Sequence, residues 1–95
     1  NEAVTEIEDW GLGLRALSDE ESAAFERKAG AYVAYVENGG KASAAGLPRD
    51  VVITHLEDTP VATPAEVVEH RAGAAGAVLV RVQRRDGTPA FYEIE

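Results

Sequence analysis

The stretch Trp10-Gly11-Leu12-Gly13-Leu14 constrains the chain most, because two glycines two positions apart remove the Cβ atoms that hold a neighbour at a distance. Consecutive amides in such a turn can converge on one small space and hold an anion. The leucines alternate with the glycines, so apolar surface lies beside the polar hollow. That combination suits one end of an extended peptide, with the carboxylate on the amides and the last side chain on the leucines. The plain alternative is a tight turn that binds nothing. Trp10 fits a core plug and a binding contact equally well.

The rest of the chain supplies a frame. Residues 3–9 alternate imperfectly, with Val4 and Ile7 out of phase, and predict a short or edge strand, or a linker. Leu14 to Leu17 reads as a brief strand. Ser18-Asp19-Glu20-Glu21 is a capping-box signature and predicts a helix from Asp19 to about Lys28, stopped by Gly30. Ala31 to Val36 is aromatic and β-branched, as a buried strand requires. Ala42 to Ala45 predicts one helical turn ended by Gly46 and Pro48. Val51 to Leu56 reads as a strand, and residues 57–60 as a turn. Thr63-Pro64 opens a second helix running to about Ala72, threonine as N-cap and proline where its missing N–H costs nothing. Residues 77–83 form a strand with Val78, Val80 and Val82 on one face; Arg85-Asp86-Gly87 turns the chain, and Phe91 to Ile94 is the last strand. The fold class is mainly β with two helices (α+β): one domain over residues 1–95, a small antiparallel barrel or sandwich of five or six strands.

Several function classes fall away. With 17 acidic and 9 basic residues the net charge is −8, which disfavours a nucleic-acid backbone as partner and serves solubility. No run of apolar residues is long enough for membrane insertion. There is no cysteine, hence no disulfide and no thiolate metal site. Only His55 and His70 are available for acid–base work, no triad can be drawn around Ser18, Ser22 or Ser43, and the acidic residues lack a calcium-loop spacing. Gly11-x-Gly13-x-x-Ala16 imitates a dinucleotide fingerprint, but the helix begins at Ser18, too late to meet a pyrophosphate. A non-catalytic domain without cofactor or metal is the expectation.

In their order along the chain these motifs resemble a PDZ domain of the kind attached to HtrA/Do-like serine proteases of bacteria. The resemblance rests on Gly11-Leu12-Gly13-Leu14, Gly30-Ala31-Tyr32-Val33, Ala42 to Leu47, Asp50-Val51-Val52, Pro60-Val61 with Thr63-Pro64-Ala65-Glu66, and Arg84-Arg85-Asp86-Gly87. It covers residues 10–95. It implies a circularly permuted strand order, with Phe91 to Ile94 in the place that comes first in animal PDZ domains.

It also implies a peptide site. The amides of Leu12, Gly13 and Leu14 in the loop begun by Gly11 would take a C-terminal carboxylate. Leu14, Arg15, Ala16 and Leu17 would be the edge to which the peptide adds a strand. Thr63, Val67 and His70 would form the opposite wall. The implied partners are peptide or protein C-termini with a hydrophobic last residue, and a protease domain in the parent chain that this domain regulates or supplies. A periplasmic or cell-envelope location follows from the same resemblance. A groove filled by a segment of its own protein, serving assembly only, is the alternative. The chain departs from the family pattern at Arg49, where glycine is usual, at Asp58-Thr59, and at His70, where the pocket is usually hydrophobic.

Overall fold

A computed structural model describes residues 4–73 and 76–94. Strands β1 (Thr5–Ile7), β2 (Leu12–Arg15), β3 (Ala31–Val36), β4 (Val52–Leu56), β5 (Thr59–Pro60), β6 (Val78–Gln83) and β7 (Pro89–Ile94) form one antiparallel sheet. Their order is β1-β2-β3-β4-β6-β7, with β5 attached to β4. The helices among the described residues are α1 (Asp19–Phe25), α2 (Lys41–Ala44) and α3 (Pro64–Ala72). The fold is therefore the α+β class expected, with a sheet of seven strands that stays open rather than closing into a barrel. β5 arises where the sequence predicts only a turn: Glu57 and Asp58 both adopt positive φ (50° and 70°), the pair of conformations that lets a two-residue hairpin close.

Local chemistry accounts for most element boundaries. The Ser18 hydroxyl accepts from the Glu21 amide and the Glu21 carboxylate accepts from the Ser18 amide, so the capping box is complete. Thr63 caps α3 by accepting from the Glu66 amide, with Pro64 in the first turn. α1 nevertheless stops at Phe25, short of the expected Lys28. Glu26 is left-handed (φ 54°), and the Phe25 carbonyl accepts from Gln83 of β6 at 2.6 Å. Arg27 meets the same glutamine at 2.9 Å. A tertiary partner takes over what another helical turn would have satisfied.

β2 also differs from expectation, lying at Leu12–Arg15 rather than 14–17. The motif glycine Gly13 is thus a strand residue, paired with β1 and β3 at once. Leu12 and Leu14 join Ile7, Trp10, Val33, Ile53, Leu56, Val67, Val80 and Ile94 in the main core. Trp10 is a core plug. Val78, Val80 and Val82 all point inward, as their alternation requires. A smaller cluster of Phe25, Tyr32 and Val52 sits under α1. At its rim Asp50 accepts from the Tyr32 hydroxyl at 2.7 Å and from Arg85 at 2.8 Å, tying the link before β4 to the β6–β7 turn. The Arg85 hydrogen bond holds the Asp50 carboxyl below its ordinary range, against the opposing effect of burial. Among the described residues no helix is long and apolar enough to cross a membrane, and no group of three or more His, Cys, Asp or Glu could hold a metal ion.

Glu21 is the buried hub of the α1 start, accepting from both terminal nitrogens of the Arg15 guanidinium as well as from the Ser18 amide. Burial raises its pKa; the Arg15 and Ser18 hydrogen bonds outweigh that and leave it below the ordinary 4.5. Its carboxylate therefore contributes stability in full above the unfolded-state pKa, and the contribution is lost as the pH falls through the folded value. Glu21→Ala is expected to cost about 1–3 kcal/mol, read as a lower urea midpoint. The gap from the parent should narrow as the pH is lowered below the ordinary 4.5.

Candidate functional site

The groove lies where α3 approaches β2, and a strand already runs along it. β1 pairs with β2 in the register Thr5–Leu14, Glu6–Gly13 and Ile7–Leu12, while β3 serves the other edge of β2. β1 and the turn after it, through Glu6, Ile7, Glu8 and Asp9, enclose a cavity of about 180 Å³ with Val68 and Arg71 of α3. Ile7 is only 5% exposed and packs into the core.

The turn from Glu8 to Gly11 is where an amide hollow appears. The amides of Trp10 and Gly11 converge on one oxygen, the Ile7 carbonyl, at 3.1 and 2.9 Å. Gly11 has φ +71°, and a Cβ there would lie 3.0 Å from the Gly40 Cα, so both conformation and space require glycine. The turn is backed by the chain leading into α2: Glu37 donates to the Gly11 carbonyl and Ala42 to that of Trp10, both at 2.8 Å.

Two side-chain links hold β1 and its turn from either wall. Tyr35 of β3 reaches across β2 and donates its hydroxyl to Glu6. It can do so because Gly13 lies beneath: a Cβ on Gly13 would be 2.2 Å from Tyr35 Cε2. The Glu6 hydrogen bond is the main reason the Tyr35 pKa is pushed up to about 12. On the other wall Arg71 of α3 pairs with Asp9 through Nη2, its guanidinium 5.6 Å from the Trp10 ring centre. Arg71 Nε is buried with no hydrogen-bond partner among the described residues.

The predicted site residues separate on this frame. Gly11 forms the turn, and Leu12, Gly13 and Leu14 lie in β2, the leucine side chains in the core rather than on a rim. Arg15 closes β2 and is engaged by Glu21, with its guanidinium 4.3 Å from the Tyr32 ring centre. Ala16 and Leu17 follow the end of β2, Leu17 packing on the smaller cluster. Thr63 is occupied as the cap of α3, and Val67 is fully buried in the core. His70 lines a different cavity of about 310 Å³, with Thr59, Pro60, Val61, Glu66 and Glu69. The wall facing β1 is therefore Val68 and Arg71, one position on from the expected Val67 and His70, because burying Val67 turns the helix that way. Ile7, Glu6 and Tyr35 were not anticipated. The out-of-phase Val4 and Ile7 were the only sequence signal for the first of these.

No family model matches the chain, and no curated protein sequence does. Solved structures do resemble it. One is the HtrA3 PDZ domain bound to a phage-derived ligand, FGRWV, with a TM-score of 0.79 and 17% identity over 99% of this chain and 86% of that one. Another is the HtrA-type protease AlgW with a decapeptide, with a TM-score of 0.74 and 20% identity over 99% of this chain. The chain spans 29% of the length of AlgW. It has the fold of a PDZ domain and resembles those of HtrA-type proteins.

Gly13→Ala tests the strap directly. The added methyl should drive the Tyr35 ring off β2 and break its hydrogen bond to Glu6. Without the Glu6 hydrogen bond the Tyr35 pKa should fall from about 12 toward the ordinary ~10, followed by ring-labelled NMR during alkaline titration.

Proposed function

We propose that the chain is a non-catalytic peptide-binding module. It takes extended hydrophobic segments, C-terminal ones among them, as an added strand on β2 beside α3. The observation that carries this reading is β1 itself: the groove holds an antiparallel strand with an aliphatic side chain buried against the core. Strand addition draws affinity from backbone pairing and specificity from the pocket for alternate side chains. The peptide ligands named for the HtrA3 domain and AlgW support the same use of the fold. In a parent chain with a serine protease, such a module would regulate the protease or feed it substrate.

The carboxylate of a bound C-terminus would sit where the Ile7 carbonyl sits, on the Trp10 and Gly11 amides, with Leu12, Gly13 and Leu14 supplying the strand edge. A charge-assisted hydrogen bond contributes roughly 1.5–3 kcal/mol, and ordering the peptide offsets much of the sum. The expected affinity is on the order of micromolar, about −8 kcal/mol.

The assembly reading, a groove filled by a segment of its own protein, is favoured by the same β1 pairing. An amide-resolved NMR titration separates the two, using peptides that end in a hydrophobic residue as free acid or as amide. Shifts at Trp10 to Leu14 that are larger for the acid support capture of C-termini. Equal shifts along Leu12 to Arg15 for both peptides mean that internal segments bind. No shift at peptide concentrations on the order of millimolar would leave assembly as the function.

A further inference from the structure

We infer that β1 is a resident ligand of its own groove, held by two latches, Tyr35 to Glu6 and Arg71 to Asp9, and that another peptide enters by displacing it. The inference rests on the peptide-binding reading and adds what occupies the site at rest and what chemistry replaces it.

β1 has the properties of an exchangeable occupant. Among the described residues it pairs over three. Ile7 is its single deep anchor, whereas Val4 is 43% exposed and Glu6 and Glu8 are exposed. The latches flank that anchor, one from β3 and one from α3. Both lie at the surface, where polar links of this kind add little and are weakened by salt. A strand held in this way is in place without being locked.

The same contacts describe the competitor. Ile7 fills the place of an aliphatic side chain, and the carboxylate on Arg71 comes two residues later. Asp9 engages only Nη2, leaving the buried Arg71 Nε without a partner among the described residues. A ligand carboxylate reaching Nε and Nη2 together would form the stronger bidentate pair and desolvate no further donor. The groove therefore selects an extended segment with an aliphatic residue followed two residues later by an acidic side chain.

The test's main variant leaves the receptor walls intact and alters only the occupant, in the full chain. The probe is a fluorescein-labelled peptide copying residues 4–9 (Val-Thr-Glu-Ile-Glu-Asp), and the variant carries Glu6→Gln with Asp9→Asn. The variant should bind the probe about tenfold more tightly than the parent. Amide exchange at Thr5 to Ile7 should accelerate in it while β3 and β4 stay protected, which also reports that the sheet is folded. In an Arg71→Gln chain the preference for the probe over its Asn-terminated, C-amidated copy should disappear. Equal affinity of parent and variant, with β1 exchange unchanged, would overturn the latch while leaving peptide binding standing. No binding by either, with the Leu12 to Arg15 amides unmoved, would overturn the peptide-binding reading and the latch with it.

Discussion

Everything near the groove depends on the outer edge of β2. A strand carries backbone donors and acceptors on both sides, and an edge covered by another element without partners is costly. β3 satisfies one side of β2, and α3 leans over the other. The three residues of β1 reconcile these demands by pairing with β2 and placing Ile7 between the sheet and the helix. This geometry makes the groove a place for strands, since whatever lies there must answer backbone with backbone.

Gly13 shows how one missing atom organises the site. Glu6, Gly13 and Tyr35 form a row across β1, β2 and β3. Without a Cβ in the middle, the Tyr35 ring lies over β2 and joins the outer strands by a hydrogen bond. The register shift in the β2–β3 pairing falls immediately after this row, between Gly13 and Leu14. A glycine whose spacing suggested closeness to a ligand is here close to a neighbouring side chain. The physical requirement is the same and the occupant differs.

The charged residues mostly join elements that the chain keeps apart. Arg15 and Glu21 tie β2 to α1, Arg71 and Asp9 tie α3 to the turn before β2, and Arg85 and Asp50 tie the last hairpin to the start of β4. The two exposed pairs, at Asp9 and Asp50, add little stability, whereas the Arg15–Glu21 pair is largely buried. Arg15 has its carboxylate partner inside the domain, in Glu21, rather than on a ligand. Arg71 is half satisfied: Asp9 engages Nη2, while Nε is buried without a partner among the described residues.

Most of the architecture was legible in the sequence because its signals are local. The Ser18 capping box, the Thr63-Pro64 helix start, the alternation of Val78, Val80 and Val82 and the run Ala31 to Val36 each act within a few residues, and each formed where expected. The glycine motif is legible in the sequence, but its division between turn and strand is not: β2 begins at Leu12 and includes Gly13. Nothing local says that Phe25 gives its carbonyl to Gln83 and ends α1 early. Nor does anything local say whether Val67 or Val68 turns inward on a helix that carries both. The sequence by itself determined most of the elements, their order and the PDZ-like frame, since propensity, capping and periodicity operate over short distances. Only the tertiary structure decided the facing of α3, the partner of Tyr35 and the strand that lies in the groove, because each depends on surfaces brought together from distant parts of the chain.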